Sequence, residues 1–165
     1  MPVTTDITAT YRGPGRVMQR LLAMGQREDR ALVILMASCV IIFVAQMPRL
    51  SRQAHLTGQE LDMLLGGALF GWVFLAPLML YLLAALSHLL ARAVGGQGDW
   101  YGARLALFWS LLASTPLLLL HGLVAGFIGS GPGLQAVGVL WLAIFLWFWF
   151  ASLWQAERPM TGSRT

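Results

Sequence analysis

Ser87-His88-Leu89-Leu90-Ala91-Arg92-Ala93-Val94-Gly95-Gly96-Gln97-Gly98 closes one long apolar segment, and the next apolar segment begins within a few residues. His88 and Arg92 stand one helical turn apart, and the glycines behind them permit backbone angles that other residues resist. Outward from this turn the chain divides into apolar blocks of about 17 to 30 residues, long enough to cross a bilayer. A soluble domain would break them into shorter periodic pieces. Only 11 % of the 165 residues are charged and 58 % are hydrophobic, whereas about a quarter are charged in soluble domains. The expected fold is all-α: a polytopic transmembrane helix bundle of about four spans, with a short amphipathic interfacial helix at the N-terminus.

The spans are expected at 31–47, 63–92, 103–128 and 134–154, after an N-terminal segment 1–30 and before a tail 155–165. The first span is closed by Pro48 and at 17 residues is near the lower limit for crossing. In the loop that follows, Thr57 and Glu60 have the spacing of a capping box. The second span is longer than a bilayer needs, and Pro77 supplies a kink site that frees the carbonyl of Val73. Pro116 sits near the middle of the third span, where Ser114 and Thr115 can satisfy the carbonyl of Leu112. Gly67 and Gly71 near the start of span two, and Gly122 and Gly126 near the end of span three, are small-xxx-small steps in the same leaflet, so these two spans are expected to pack there.

Before the first span, Val17, Leu21 and Met24 share one helical face while Arg16, Arg20 and Arg27 share another. This reads as a helix lying in the interface with its arginines at the headgroups. Trp100, Trp149 and Trp154 are expected at the headgroup level as well. The first 30 residues hold no apolar core before a small-residue cleavage site, so the first span is expected to act as its own insertion signal.

All eleven basic residues are arginine and the net charge is +4. They flank apolar blocks, which points to orientation and anionic lipid rather than to nucleic acid. Arg12, Arg16, Arg20, Arg27, Arg30, Arg92, Arg104, Arg158 and Arg164 fall on one side, and only Arg49 and Arg52 on the other. Both termini are therefore expected in the cytoplasm, and the lack of lysine suits a bacterial inner-membrane protein of a GC-rich genome.

The ionisable groups give no catalytic motif. There is no His-Glu-x-x-His, no Asp or Glu inside a span, and no serine in a motif with a base. Cys39 is alone in an apolar block and reads as a structural thiol. His55 and His121 have no third ligand at a telling spacing. No metal, cofactor or enzymatic activity is expected. Two roles fit His88: a neutral histidine bonded to the backbone or the turn, and a proton-sensing or headgroup contact. Arg92 either snorkels to phosphates or pairs with Asp99 across the turn.

The ordered Leu86-Ser87-His88-Leu89-Leu90-Ala91-Arg92, Gly95-Gly96-Gln97-Gly98 and Ser110 to Pro116 resemble the Yip1 family of polytopic membrane proteins, particularly its short bacterial members. The resemblance covers most of residues 8–155. It implies an integral membrane protein that works through protein partners or lipid, and it implies no reaction. The chain departs from eukaryotic relatives, which have five spans and a longer N-terminus and associate with small prenylated GTPases.

Three functions are consistent with these features. The first is a non-enzymatic scaffold or accessory subunit with a membrane-protein partner or a second copy. The second is a component of a small-solute transporter or channel, with Ser110, Ser114 and Thr115 lining a pathway. The third is membrane organisation through the amphipathic segment.

Overall fold

The computed structural model describes residues 3–158, and the described residues form helices joined by short turns, with no strand among them. In chain order these are α1 (Val3–Thr10), α2 (Pro14–Ala23), α3 (Glu28–Thr57), α4 (Leu61–Phe70), a π-helical turn (Gly71–Leu75), α5 (Ala76–Ala93), α6 (Trp100–Phe127) and α7 (Pro132–Ala156). Four stretches are long and apolar enough to cross a membrane: α3, the continuous α4–α5 rod, α6 and α7. Residues 159–165 of the expected tail lie outside the described residues.

The centre of the bundle is the first half of α6. From Tyr101 to Thr115 every residue except Arg104 is buried, because α3, α5, α7 and the α1–α2 hairpin all lean on it. Trp109, Phe108 and Leu105 are enclosed there together with Leu35, Ile42 and Phe148. Beyond Pro116 the same helix opens outward, and Leu120, Leu123 and Phe127 are exposed. The loss of the proline N–H is answered locally. Thr115 Oγ1 donates to the Leu112 carbonyl at 2.7 Å, as the sequence suggests.

Two features around the first connection differ from expectation, each for a physical reason. Pro48 does not end the first span; α3 runs through it for 30 residues, about 45 Å at helical rise. The proline lies against Gly126 of α6, where the missing side chain makes room for its ring. Gly58, left-handed at φ 68°, is the stop instead. No capping box follows, because Thr57 Oγ1 donates to the Gln53 carbonyl within α3 and Glu60 makes no side-chain cap for α4. At Pro77 the strain is taken up by the widened turn just before it, in which the Ala76 N–H reaches the Gly71 carbonyl.

The helix partners differ too. A Cβ on Gly122 would collide with the Ala45 carbonyl oxygen, and one on Gly126 would collide with Pro48. Both contacts belong to α3. At Gly67 and Gly71, in contrast, a Cβ would have nothing within 4 Å. The glycine steps do lie toward the same end of the bundle, yet they do not meet.

The amphipathic helix expected near the N-terminus is present as α2, with Val17 and Leu21 turned inward and Arg16 and Arg20 exposed. Residues 3–23 form a helical hairpin, α1 and α2, and the apolar face of α2 is spent on protein: Val17, Met18 and Leu21 are buried in the bundle core. The hairpin turn reaches down the side of α6. Trp109 Nε1 donates to Thr10 Oγ1 at 3.1 Å, and the Tyr11 hydroxyl donates to the Ala113 carbonyl at 3.1 Å. The Tyr11 ring meets Phe148 edge-on at 4.9 Å. Arg104, paired with Glu28 at the start of the spans, precedes these two contact positions on α6. The two contact positions therefore lie about 8 to 14 Å further along that helix axis than Arg104. We expect Met18→Ala, which empties a fully enclosed site, to cost about 2 kcal/mol or more. Limited trypsin digestion in detergent should then cut at Arg16 or Arg20 faster than in the parent protein; an unchanged rate would rule out a docked hairpin.

Candidate functional site

Three helix ends are tied together around the turn between α5 and α6. Helix α5 ends at Ala93, and Gly95 takes the left-handed conformation at φ 94°. The Gly96 N–H then returns to the Ala91 carbonyl at 2.9 Å, the closing bond of a Schellman motif. Only after this reversal can the chain run along the end of α7. Gly96 and Gly98 are required there for space: a Cβ on Gly96 would lie 2.6 Å from Glu157 Oε2, and one on Gly98 would strike the Ala156 carbonyl oxygen.

Glu157 is the residue these features converge on. Its Oε1 accepts from His88 Nδ1 at 2.9 Å, its Oε2 accepts from the Gly98 N–H at 3.0 Å, and its carbonyl accepts from the Gln97 N–H at 3.1 Å. His88 is 1 % exposed, and its ring lies 4.4 Å from that of Trp100. One carboxylate thus joins the last turns of α5 and α7 and the loop before α6. A buried histidine whose carboxylate partner fixes one ring nitrogen has the orientation used in catalytic pairs. Here, however, Nε2 is enclosed and has no hydrogen-bond partner. The adjoining hollow of about 360 Å³ is lined by Gly96, Trp154 and Glu157, not by His88. The geometry is that of a clamp.

The remaining residues singled out in the sequence scatter around this clamp. Arg92 is exposed and does not meet Asp99; Asp99 Oδ2 instead accepts from Gln26 Nε2 at 2.9 Å. Trp100 covers His88 while staying about half exposed, and Trp154 is 68 % exposed beneath the Arg158 guanidinium. Trp149 stacks against Phe145 and Phe150 on α7, with its Nε1 enclosed. Arg20 pairs with Asp6 at 3.1 Å. No protein-family model, curated protein or solved structure matches this chain.

The hydroxyls expected to line a pathway are occupied within the bundle. Ser110 Oγ donates to Ala106, Ser114 Oγ to Leu111 and Thr115 Oγ1 to Leu112, while Trp141 Nε1 donates to Ser114 Oγ at 3.2 Å. Among the described residues no group of three His, Cys, Asp or Glu side chains could hold a metal ion.

Sequence reasoning missed Glu157, placing it in a polar tail. Its signal was present: it is the one acidic residue after Asp99, within one turn of a span that carries no other charge. It also missed Arg52, whose Nη1 donates to the carbonyls of Gly126 and Phe127 at 3.2 and 3.4 Å. A cation at a helix C-terminus answers both the orphan carbonyls and the dipole.

Proposed function

We propose that this is a non-enzymatic, Yip1-type membrane protein that acts as a scaffold or accessory subunit by holding another membrane helix against its second span. The observation that supports this reading is the exposure of the α4–α5 rod. In the most apolar window of Leu61–Ala93 only 6 % of residues are buried, while in that of α6 over half are. Lipid solvates such a rod adequately, so exposure alone would be ordinary. What adds weight is the open Gly66, Gly67 and Gly71 face, since small residues let a second backbone approach closely. Beside it lies an apolar cavity of about 800 Å³, lined by Gly71, Trp72, Met79, Trp141 and Phe145 among others. The arrangement suits a helix laid over the glycines with a side chain in the cavity.

In this proposal the protein resides in a bacterial inner membrane with both termini in the cytoplasm. The N-terminal segment, the α5–α6 loop and the end of α7 gather at one end of the bundle, as the Gln26–Asp99 and Gly98–Glu157 bonds require. That end carries the arginine excess, which supports the orientation.

Gentle native purification of a chromosomally tagged protein tests the proposal. A reproducible stoichiometric membrane partner, or a defined homo-oligomer, is expected. Gly71→Leu should abolish that assembly while leaving the thermal midpoint of the isolated chain unchanged, because its side chain projects into open space. A wild-type complex in the Gly71→Leu protein would sink the docking face.

A further inference from the structure

The α1–α2 hairpin encloses a groove of about 450 Å³, bordered by Thr8, Arg12, Gly13, Arg16 and Arg20. Its charges are unbalanced. Asp6 is committed to Arg20, and neither Arg12 nor Arg16 has a carboxylate partner among the described residues. The Arg16 side chain folds back over Gly13, its Cδ 3.7 Å from where a Cβ would stand. Two unpaired guanidinium groups therefore border the hollow beside the Arg20–Asp6 pair, and an anion between them would relieve their repulsion.

Its place against the spans makes this more than a solvated face. Arg12 adjoins Tyr11, which bonds the Ala113 carbonyl, well past the Arg104–Glu28 pair on α6. A guanidinium facing outward beside the apolar spans must snorkel or draw a polar group toward it. Guanidinium and phosphate match as a fork of parallel, charge-assisted hydrogen bonds. Bilayers supply phosphate on their own headgroups.

We propose that the α1–α2 groove is a binding site for the phosphate of an anionic phospholipid headgroup, held by Arg12 and Arg16. The site is independent of the helix-docking face on α4–α5, and neither proposal needs the other. It also gives the hairpin a purpose: its buried face anchors it to α6 and α7, and its polar face presents the arginines.

The full chain in neutral detergent tests this through its thermal midpoint, with phosphatidylglycerol, phosphatidylcholine or inorganic phosphate added. Phosphatidylglycerol should raise the midpoint of the wild type and of an Arg49→Gln control on the opposite side. The Arg12→Gln/Arg16→Gln protein should lose that rise and keep the lipid-free midpoint, since neither side chain has a carboxylate partner to lose. Native mass spectrometry gives a reading independent of unfolding: a retained phosphatidylglycerol adduct in the wild type, absent from the double variant. A full rise or an undiminished adduct in the double variant overturns the site. Equal stabilisation by phosphatidylcholine overturns its anionic selectivity, and equal stabilisation by inorganic phosphate overturns its assignment to a lipid.

Discussion

Gly126→Leu is expected to prevent the bundle from closing, and Gly122→Leu to do the same. At both positions the space a side chain needs is already filled by α3, by the Ala45 carbonyl at Gly122 and by Pro48 at Gly126. Backbone and a proline ring cannot move aside as the tip of a flexible side chain can. Overpacking in a core costs about 1–3 kcal/mol even where side chains can shift. A backbone collision lies at or beyond the top of that range, and for a chain of this length about 3 kcal/mol corresponds to a midpoint lower by roughly 10 °C. Separating α3 from α6 would also strip Arg52 from the end of α6. Thermal unfolding in detergent, followed by size-exclusion profile, is the check. The contrast with Gly71→Leu carries the meaning: the same substitution in the same kind of glycine step should leave the isolated fold intact. Equal damage from both would show that α4 packs more tightly than the structure has it.

Glu157→Ala is the second change with a large expected effect. It removes the acceptor for His88 Nδ1 and for the Gly98 N–H, leaving a histidine that is 1 % exposed with neither ring nitrogen bonded. Breaking a buried pair of this kind from one side costs about 3 kcal/mol, much of it the desolvation of what is left behind. The loop 95–99 should loosen from α7, and the midpoint should fall by several degrees. Glu157→Gln keeps the shape and one acceptor oxygen and should lose less. A double-mutant cycle with His88→Ala isolates the pair: if the two losses simply add, the clamp does not couple α5 to α7.

Much of this architecture is legible from local chemistry. Four apolar lengths, the reversal at Gly95 and the relief of Pro116 by Thr115 each depend on residues a few positions apart, so sequence order is enough to see them. The arginine distribution likewise groups the ends of the bundle without knowledge of any contact. Pro48 is different. A proline weakens a helix locally and so reads as a stop, whereas here α3 runs through it and its ring packs where a glycine far along the chain, Gly126, has no side chain.

What the chain alone determined is therefore how many times it crosses, where it turns and which residues are small enough to permit close approach. Which helix makes that approach was decided only by the tertiary structure. A glycine step records the absence of a side chain, and absence does not name a neighbour; Gly122 and Gly126 took α3, while Gly67 and Gly71 took none. The same holds for the charges. Glu157 and Arg12 look alike in sequence, each an ion in a polar terminal segment, yet folding carries one to a buried histidine and leaves the other beside an open groove.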